Sequence, residues 1–145
     1  MQRRVKKRFN RGFTLIECLM AVLLVGIAVA ALVAANGSLT RINAAGAELS
    51  TAEFLIEQIR ELAALVDYDD IDDLNNITFN PPITSDQQPL TDFSAYTQQV
   101  TVDYIQQADF SAVDPTETSD FVRITVKVLL NSKEISSASW IRANY

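Results

Sequence analysis

At 145 residues the chain has room for one hydrophobic core, and its net charge is −6. It holds one cysteine and no histidine, which excludes an intrachain disulfide, a Cys-His nucleophile and a histidine-based zinc site. The charge is segregated. Residues 1–12 carry Arg3, Arg4, Lys6, Lys7, Arg8 and Arg11 and no acid. Residues 36–145 hold 17 acids against six bases, so a basic face for nucleic acid is not expected.

The first element is this basic leader, whose positive charge favours retention on the cytoplasmic side of a membrane. From Cys18 to Ala35 follow 18 residues without a charge, and counting from Phe13 extends the run to 23 at the cost of including Thr14 and Glu17. At roughly 1.5 Å per residue a helix of that length spans about 34 Å, enough for a hydrocarbon core of about 30 Å. A secretory signal cleaved near "AANGS" is the competing reading. Cys18 inside the run reads as a small hydrophobe. Gly26 and the alanines around it permit close helix packing or act as lipid-tolerant filler.

Apolar residues then recur at Leu39, Ile42, Ala45, Leu49, Ala52, Ile56, Ile59, Ala63 and Val66, steps of three and four that mark one helical face. No proline precedes Pro81, so one helix of roughly 50 residues is expected. "NGS" at 36–38 is where a bend or break is anticipated. The acidic stretch "DYDDIDDLNN", 67–76, ends the helix, and "NPPITSDQQP", 80–89, reads as irregular. Asp67, Asp69, Asp70, Asp72 and Asp73 offer oxygen ligands suited to calcium, but the glycine and distal glutamate of an EF-hand loop are missing. A solvated helix exit is the simpler reading, and no metal or other cofactor is expected.

Two runs alternate with period two: "YTQQVTVDY" places Tyr96, Val100, Val102 and Tyr104 on one side, and "FVRITVKVLL" does the same for Val122 to Leu130. "NSK", 131–133, is a tight turn into a last strand, "EISSASWIRA". Trp140 and Tyr145 read as sheet or core aromatics. The expected fold class is α+β: one long N-terminal helix, half apolar and half amphipathic, packed on a small antiparallel sheet.

The order of basic leader, Gly12, "FTLIE", apolar helix, amphipathic helix and small sheet resembles the prepilins of the type IV filament superfamily, which includes type IV pilins and type II secretion pseudopilins. The residues that carry the likeness are "RGFTLIE", 11–17. The resemblance implies a pilin-like fold, cleavage after Gly12 by a prepilin peptidase, and N-methylation of the new amine on Phe13. It divides the chain into a leader, 1–12, a transmembrane and assembly helix, 13–35, an amphipathic helix, 36–66, and a loop and sheet, 67–145. Implied partners are other pilin or pseudopilin subunits, an inner-membrane assembly platform and membrane lipid, with the N-terminus cytoplasmic and the head outside. The role implied is that of a structural subunit, not an enzyme. The absence of a helix proline and of paired cysteines, together with the short sheet, is most similar to a minor pilin or minor pseudopilin.

Cleavage at Gly12 would remove six cations, taking the side-chain balance from −6 to −12, and leave the apolar anchor in place. It would also create an α-amine, largely protonated at neutral pH, at the start of the helix that holds Glu17. The resemblance implies that Glu17 meets the Phe13 amine of a neighbouring subunit during assembly. The residues alone allow a second reading: "TLIE" fits a capping box, with Thr14 as N-cap and Glu17 reaching back. Two other classes remain open, a signal-anchored binding module that does not polymerise and a small secreted domain cut near Ala35.

Overall fold

The computed structural model describes residues 13–144. The leader, with Gly12 and the six cations, and Tyr145 lie outside them. The protein is α+β and pilin-like: one long N-terminal helix, α1 (Leu15–Leu65), precedes a five-stranded antiparallel sheet. The residues fall into two units that part between Asn43 and Ala44.

In the first unit α1 is helical without interruption, and "NGS" does not break it. Ser38 Oγ donates to the carbonyl of Ala34 (3.3 Å) and Thr40 Oγ1 to that of Asn36 (3.0 Å), so these polar side chains fold back onto the helix. A Cβ placed at Gly26 or Gly37 would meet nothing within 4 Å. Every large apolar side chain from Phe13 to Val33 is exposed, from Val29 at 54% to Phe13 at 82%.

The second unit holds the core. α1 contributes Ala52, Leu55, Ile56, Ile59, Leu62 and Ala63, all buried. The buried face therefore begins at Ala52, later than the apolar periodicity suggests. Leu39, Ile42 and Leu49 continue the same pattern but are exposed. Periodicity identifies a face that needs covering; it does not identify the cover. Leu55 and Leu62, absent from the simple three-and-four count, widen the stripe to the breadth a sheet requires.

The sheet runs β1 (Ile77–Phe79), β2 (Tyr96–Gln106), β4 (Phe121–Leu130), β5 (Lys133–Ala143), with β3 (Asp109–Val113) paired to the far end of β2. The register of β2 on β4 goes from Tyr96↔Leu130 to Tyr104↔Val122. That pairing stacks Val100 and Val102 beside Val126 and Ile124 on the face toward α1. Each such side chain contributes about 1.5–3 kcal/mol by leaving water. The β4–β5 turn places Asn131 (φ 50°) and Ser132 (φ 68°) in the left-handed region, the backbone of a two-residue hairpin that keeps the sheet twist. Two strands carry no clear alternation. β1 is only three residues long. β3 is held by a hairpin with β2 in which the register shifts.

Gln98 occupies an inward position of β2 and is fully buried. A glutamine there is tolerated because its amide is satisfied. Nε2 donates to the carbonyls of Leu55 (2.9 Å) and Ile83 (3.2 Å), and Oε1 accepts from the Ile83 N–H (2.8 Å). One side chain thus ties α1, β2 and the 80–90 segment together, so that segment, read as irregular, is fixed in place. Gln58 of α1 adds a second tie, accepting from the Ser85 N–H at 3.1 Å.

The acidic exit from α1 forms a 3-10 helix, Tyr68–Leu74, with Ile71 and Leu74 turned inward. The aspartates around them take the solvent side. Across the same seam Arg142 of β5 donates Nη1 to the carbonyl of Ala63, and its guanidinium lies over the Tyr68 ring at 5.9 Å. The last turn of α1 contains no basic residue, and Arg142 supplies the missing cation from another strand.

Truncating Ile59 to alanine is expected to destabilise the head by about 2–5 kcal/mol. Leu49→Ala is expected to change it by less than about 0.5 kcal/mol. Urea midpoints of the detergent-solubilised chain read both, and equal losses would mean that the folded head extends back to residue 49.

Candidate functional site

The candidate site is the first turn of α1. Gly12, the expected cleavage position, lies outside the described residues. Phe13 is 82% exposed, and Thr14 immediately precedes the helix. Thr14 Oγ1 accepts from the Glu17 N–H at 3.3 Å, while Glu17 Oε2 accepts from the Thr14 N–H at 3.3 Å and from the Thr14 hydroxyl at 3.4 Å. This is the reciprocal arrangement of a capping box. All three contacts are long beside the usual 2.7–3.2 Å for an N–H···O bond, so the box is loose. The carboxylate keeps accepting capacity for a further donor. It also sits at the positive end of the helix dipole, which favours an anion.

Beyond Glu17 the helix is long and apolar enough to cross a membrane, and none of that stretch is buried in the protein. Cys18 is a free, exposed thiol on the same helix. All the features that set this segment apart lie within its first two dozen residues and the leader before them.

Residues 7–33 match the family model described as the prokaryotic N-terminal methylation motif. The match takes in Gly12, Phe13, Glu17 and most of the apolar run. That motif supports an N-terminal segment like that of the type IV pilin and pseudopilin prepilins, and it spans under a fifth of the chain. Such a segment implies processing by a prepilin peptidase and assembly with other pilin subunits, and the apolar helix fits membrane anchoring of a prepilin. Comparison with curated proteins and with solved structures gives no match.

The acidic exit of α1 was the other sequence candidate. Among the described residues no group of three or more carboxylates is arranged to hold a metal ion. Asp72 has a structural partner instead, accepting from the Tyr104 hydroxyl at 3.0 Å. Burial, and then this hydrogen bond and charge, push the Tyr104 phenol up to about 12. Tyr68, half-buried nearby, is also raised, by its partial burial and then by the charge of Asp120, and its hydroxyl donates to the carbonyl of Ser119 at 2.9 Å.

A broad cleft of about 830 Å³ opens beside this seam, lined by Arg60, Tyr68, Trp140 and Arg142 among others. No sequence pattern pointed to it. Its cations are already engaged. Arg60 pairs with Glu57 and lies 5.0 Å above the Trp140 ring, and Arg142 holds α1. The cleft reads as a consequence of packing.

Because the folded pKa of Tyr104 lies above that of a free phenol, its neutral form is favoured in the native head. The resulting stability is fully present below about pH 10 and is lost as pH rises toward 12. Phenolate absorbance during alkaline titration should show Tyr68 and Tyr104 titrating later than free tyrosine, the later of the two phases should disappear in Tyr104→Phe, and the alkaline loss of stability should become shallower in that variant.

Proposed function

We propose that the protein is a minor subunit of a type IV pilus-like or type II secretion pseudopilus filament. The peptidase cuts after Gly12, Phe13 is methylated, and the mature chain waits in the inner membrane with its head outside. The observation that carries this reading is the coincidence of the methylation-motif match with a helix whose apolar side chains from Leu15 to Val33 are exposed. A secretory signal would lose that helix on cleavage; a cut at Gly12 keeps it.

Glu17 then has two roles in succession. Before assembly it closes the helix start with Thr14. During extraction into the filament it meets the Phe13 amine of a neighbouring subunit, and the ion pair, formed away from water, selects the register between helices. The magnitudes favour the second role as the reason for a carboxylate. A loose cap contributes about 1 kcal/mol or less. A charge at mid-membrane costs roughly 2.5–3.5 kcal/mol on insertion scales, less near the interface. Glutamine at position 17 would complete the box with Thr14 without that cost.

The cut and the methyl group are read by intact mass and N-terminal sequence of protein recovered from membranes. A chain beginning at Phe13 with one added methyl is expected. A chain beginning at Met1 in cells with an active prepilin peptidase would leave a plain membrane anchor, and a start near residue 36 would mean a secreted domain.

Glu17→Gln separates the two roles, because glutamine still accepts from the Thr14 N–H but carries no charge. The variant should be cleaved and membrane-bound yet enter filaments about tenfold less than the native chain, a difference worth about 1.4 kcal/mol. Native incorporation would reduce Glu17 to a cap.

A further inference from the structure

The head has a second cleft, of about 490 Å³, which shares Asp67 and Asp70 with the larger one but contains neither of its arginines. Buried Leu62, Leu74 and Ile83 form its floor, and Val66, Ile77 and Phe79 stand half-buried around them. The walls are open for a topological reason. β1 is the end strand of the sheet, and its register on β2, Ile77↔Val100 and Phe79↔Gln98, puts Ile77 and Phe79 on the inward face with no described strand beyond them. Leu65 carries the apolar surface past the cleft. It follows Gln58 and Leu62 along one stripe of α1, the stripe that Gln58 ties to Ser85 of the 80–90 segment. At 71% it is the most exposed large apolar side chain of the second unit among the described residues. An apolar floor with an exposed leucine at its lip is the composition of a docking groove.

The rim supplies the chemistry of the occupant. The 3-10 helix Tyr68–Leu74 has three residues per turn, so Asp70 and Asp73 lie one above the other, about 6 Å apart along the axis. Asp67, its N-cap, continues the row and makes no side-chain capping bond. All three line the cleft, and no lysine or arginine does. The ion pairs among the described residues, Arg60 with Glu57 and Lys127 with Glu134, involve none of them. Arg142 of the larger cleft is turned to the Ala63 carbonyl. Like charges held this close at an apolar surface repel, and a cation entering the cleft relieves that cost. Among the described residues no three carboxylates are arranged to hold a metal ion. A lysine or arginine side chain suits the site instead: its aliphatic stem lies on the apolar wall while its head reaches the carboxylates. A second copy of the head, with 17 acids against six bases over residues 36–145, would be repelled, and so would an anionic lipid surface.

We propose that this cleft docks a segment of a different protein that presents a lysine or arginine next to an apolar side chain. The cation lies against Asp70 and Asp73, and the apolar group against Phe79 and Leu65. The cleft lies wholly in the head, so the proposal stands or falls separately from the role of Glu17.

The test is made in cells on the full chain, with Leu65 replaced by the photo-reactive analogue p-benzoylphenylalanine. After irradiation, mass spectrometry of the adduct locates the crosslinked residue of the partner. The expected result is an adduct with a different protein, within a few residues of a lysine or arginine. Its yield should fall about tenfold or more in Asp70→Lys and in Asp73→Lys. Asp69, which lines the larger cleft but not this one, is the control: Asp69→Lys makes the same change in net charge and should leave the yield unchanged. Unchanged melting of the purified chains separates lost docking from lost folding, and Asp73→Asn gives the same reading where a lysine is not tolerated. An adduct with a second copy or with lipid would overturn the proposal. So would no adduct at all, a yield indifferent to Asp70→Lys and Asp73→Lys, or an equal loss in Asp69→Lys.

Discussion

Among the described residues, the large apolar side chains from Phe13 to Leu49 are all exposed, most of them along one continuous helix. Everything else about the molecule is conditioned by that exposure. Such a surface has to be covered by lipid or by other helices, and in lipid only a helix satisfies its own backbone groups. The uninterrupted hydrogen bonding through "NGS" serves that requirement. The absence of proline from this helix removes the commonest reason for a break.

The head meets a different demand with the same secondary structure. From Ala52 onward one face of α1 is buried because β2 and β4 present valine and isoleucine toward it, with Ile135, Ala138 and Trp140 of β5 at the margin. Hydrophobic burial sets the affinity of helix for sheet, but it does not set the alignment between them. Polar contacts do that. Gln98 reaches both Leu55 and Ile83 at full burial, and Ser136 Oγ donates to Glu53 at 2.6 Å. An unsatisfied buried amide costs about 1–3 kcal/mol, so Gln98 penalises any helix position that does not offer the Leu55 carbonyl.

Most of this architecture was legible in the residues. The apolar run, the helical stripe from Ala52 to Ala63 and the alternation of "FVRITVKVLL" are strong signals because each repeats over several turns or pleats. The motif at Gly12–Glu17 was legible for another reason: its parts are close in sequence and chemically unlike one another. What escaped notice depends on contacts distant in sequence. β1 and β3 have no pattern of their own and exist because β2 offers an edge; Asn75 Oδ1, accepting from the Val102 N–H at 3.0 Å, extends that edge pairing with a side chain. Gln98 shares the parity of Tyr96 and Val100, but the run alone does not show the carbonyls of Leu55 and Ile83 that let its amide be buried there. The exposure of Leu39, Ile42 and Leu49 could not be foreseen from a periodicity that treats every apolar stripe as self-covered.

Arg142 gives the seam between helix and sheet a temporal meaning. Its contact with the Ala63 carbonyl joins residues 79 positions apart, and Ser136 and Glu53 are separated by 83. The strand that supplies the charge at the end of α1 is synthesised long after the helix it completes. While β5 is still being made, the buried face of α1 has neither its sheet nor its terminal cation. The native seam is therefore complete only once β5 is present, and until the sheet covers it the stripe from Ala52 to Ala63 exposes the same leucines and isoleucines that later form the core. That interval is when the uncovered stripe is most open to wrong apolar contacts.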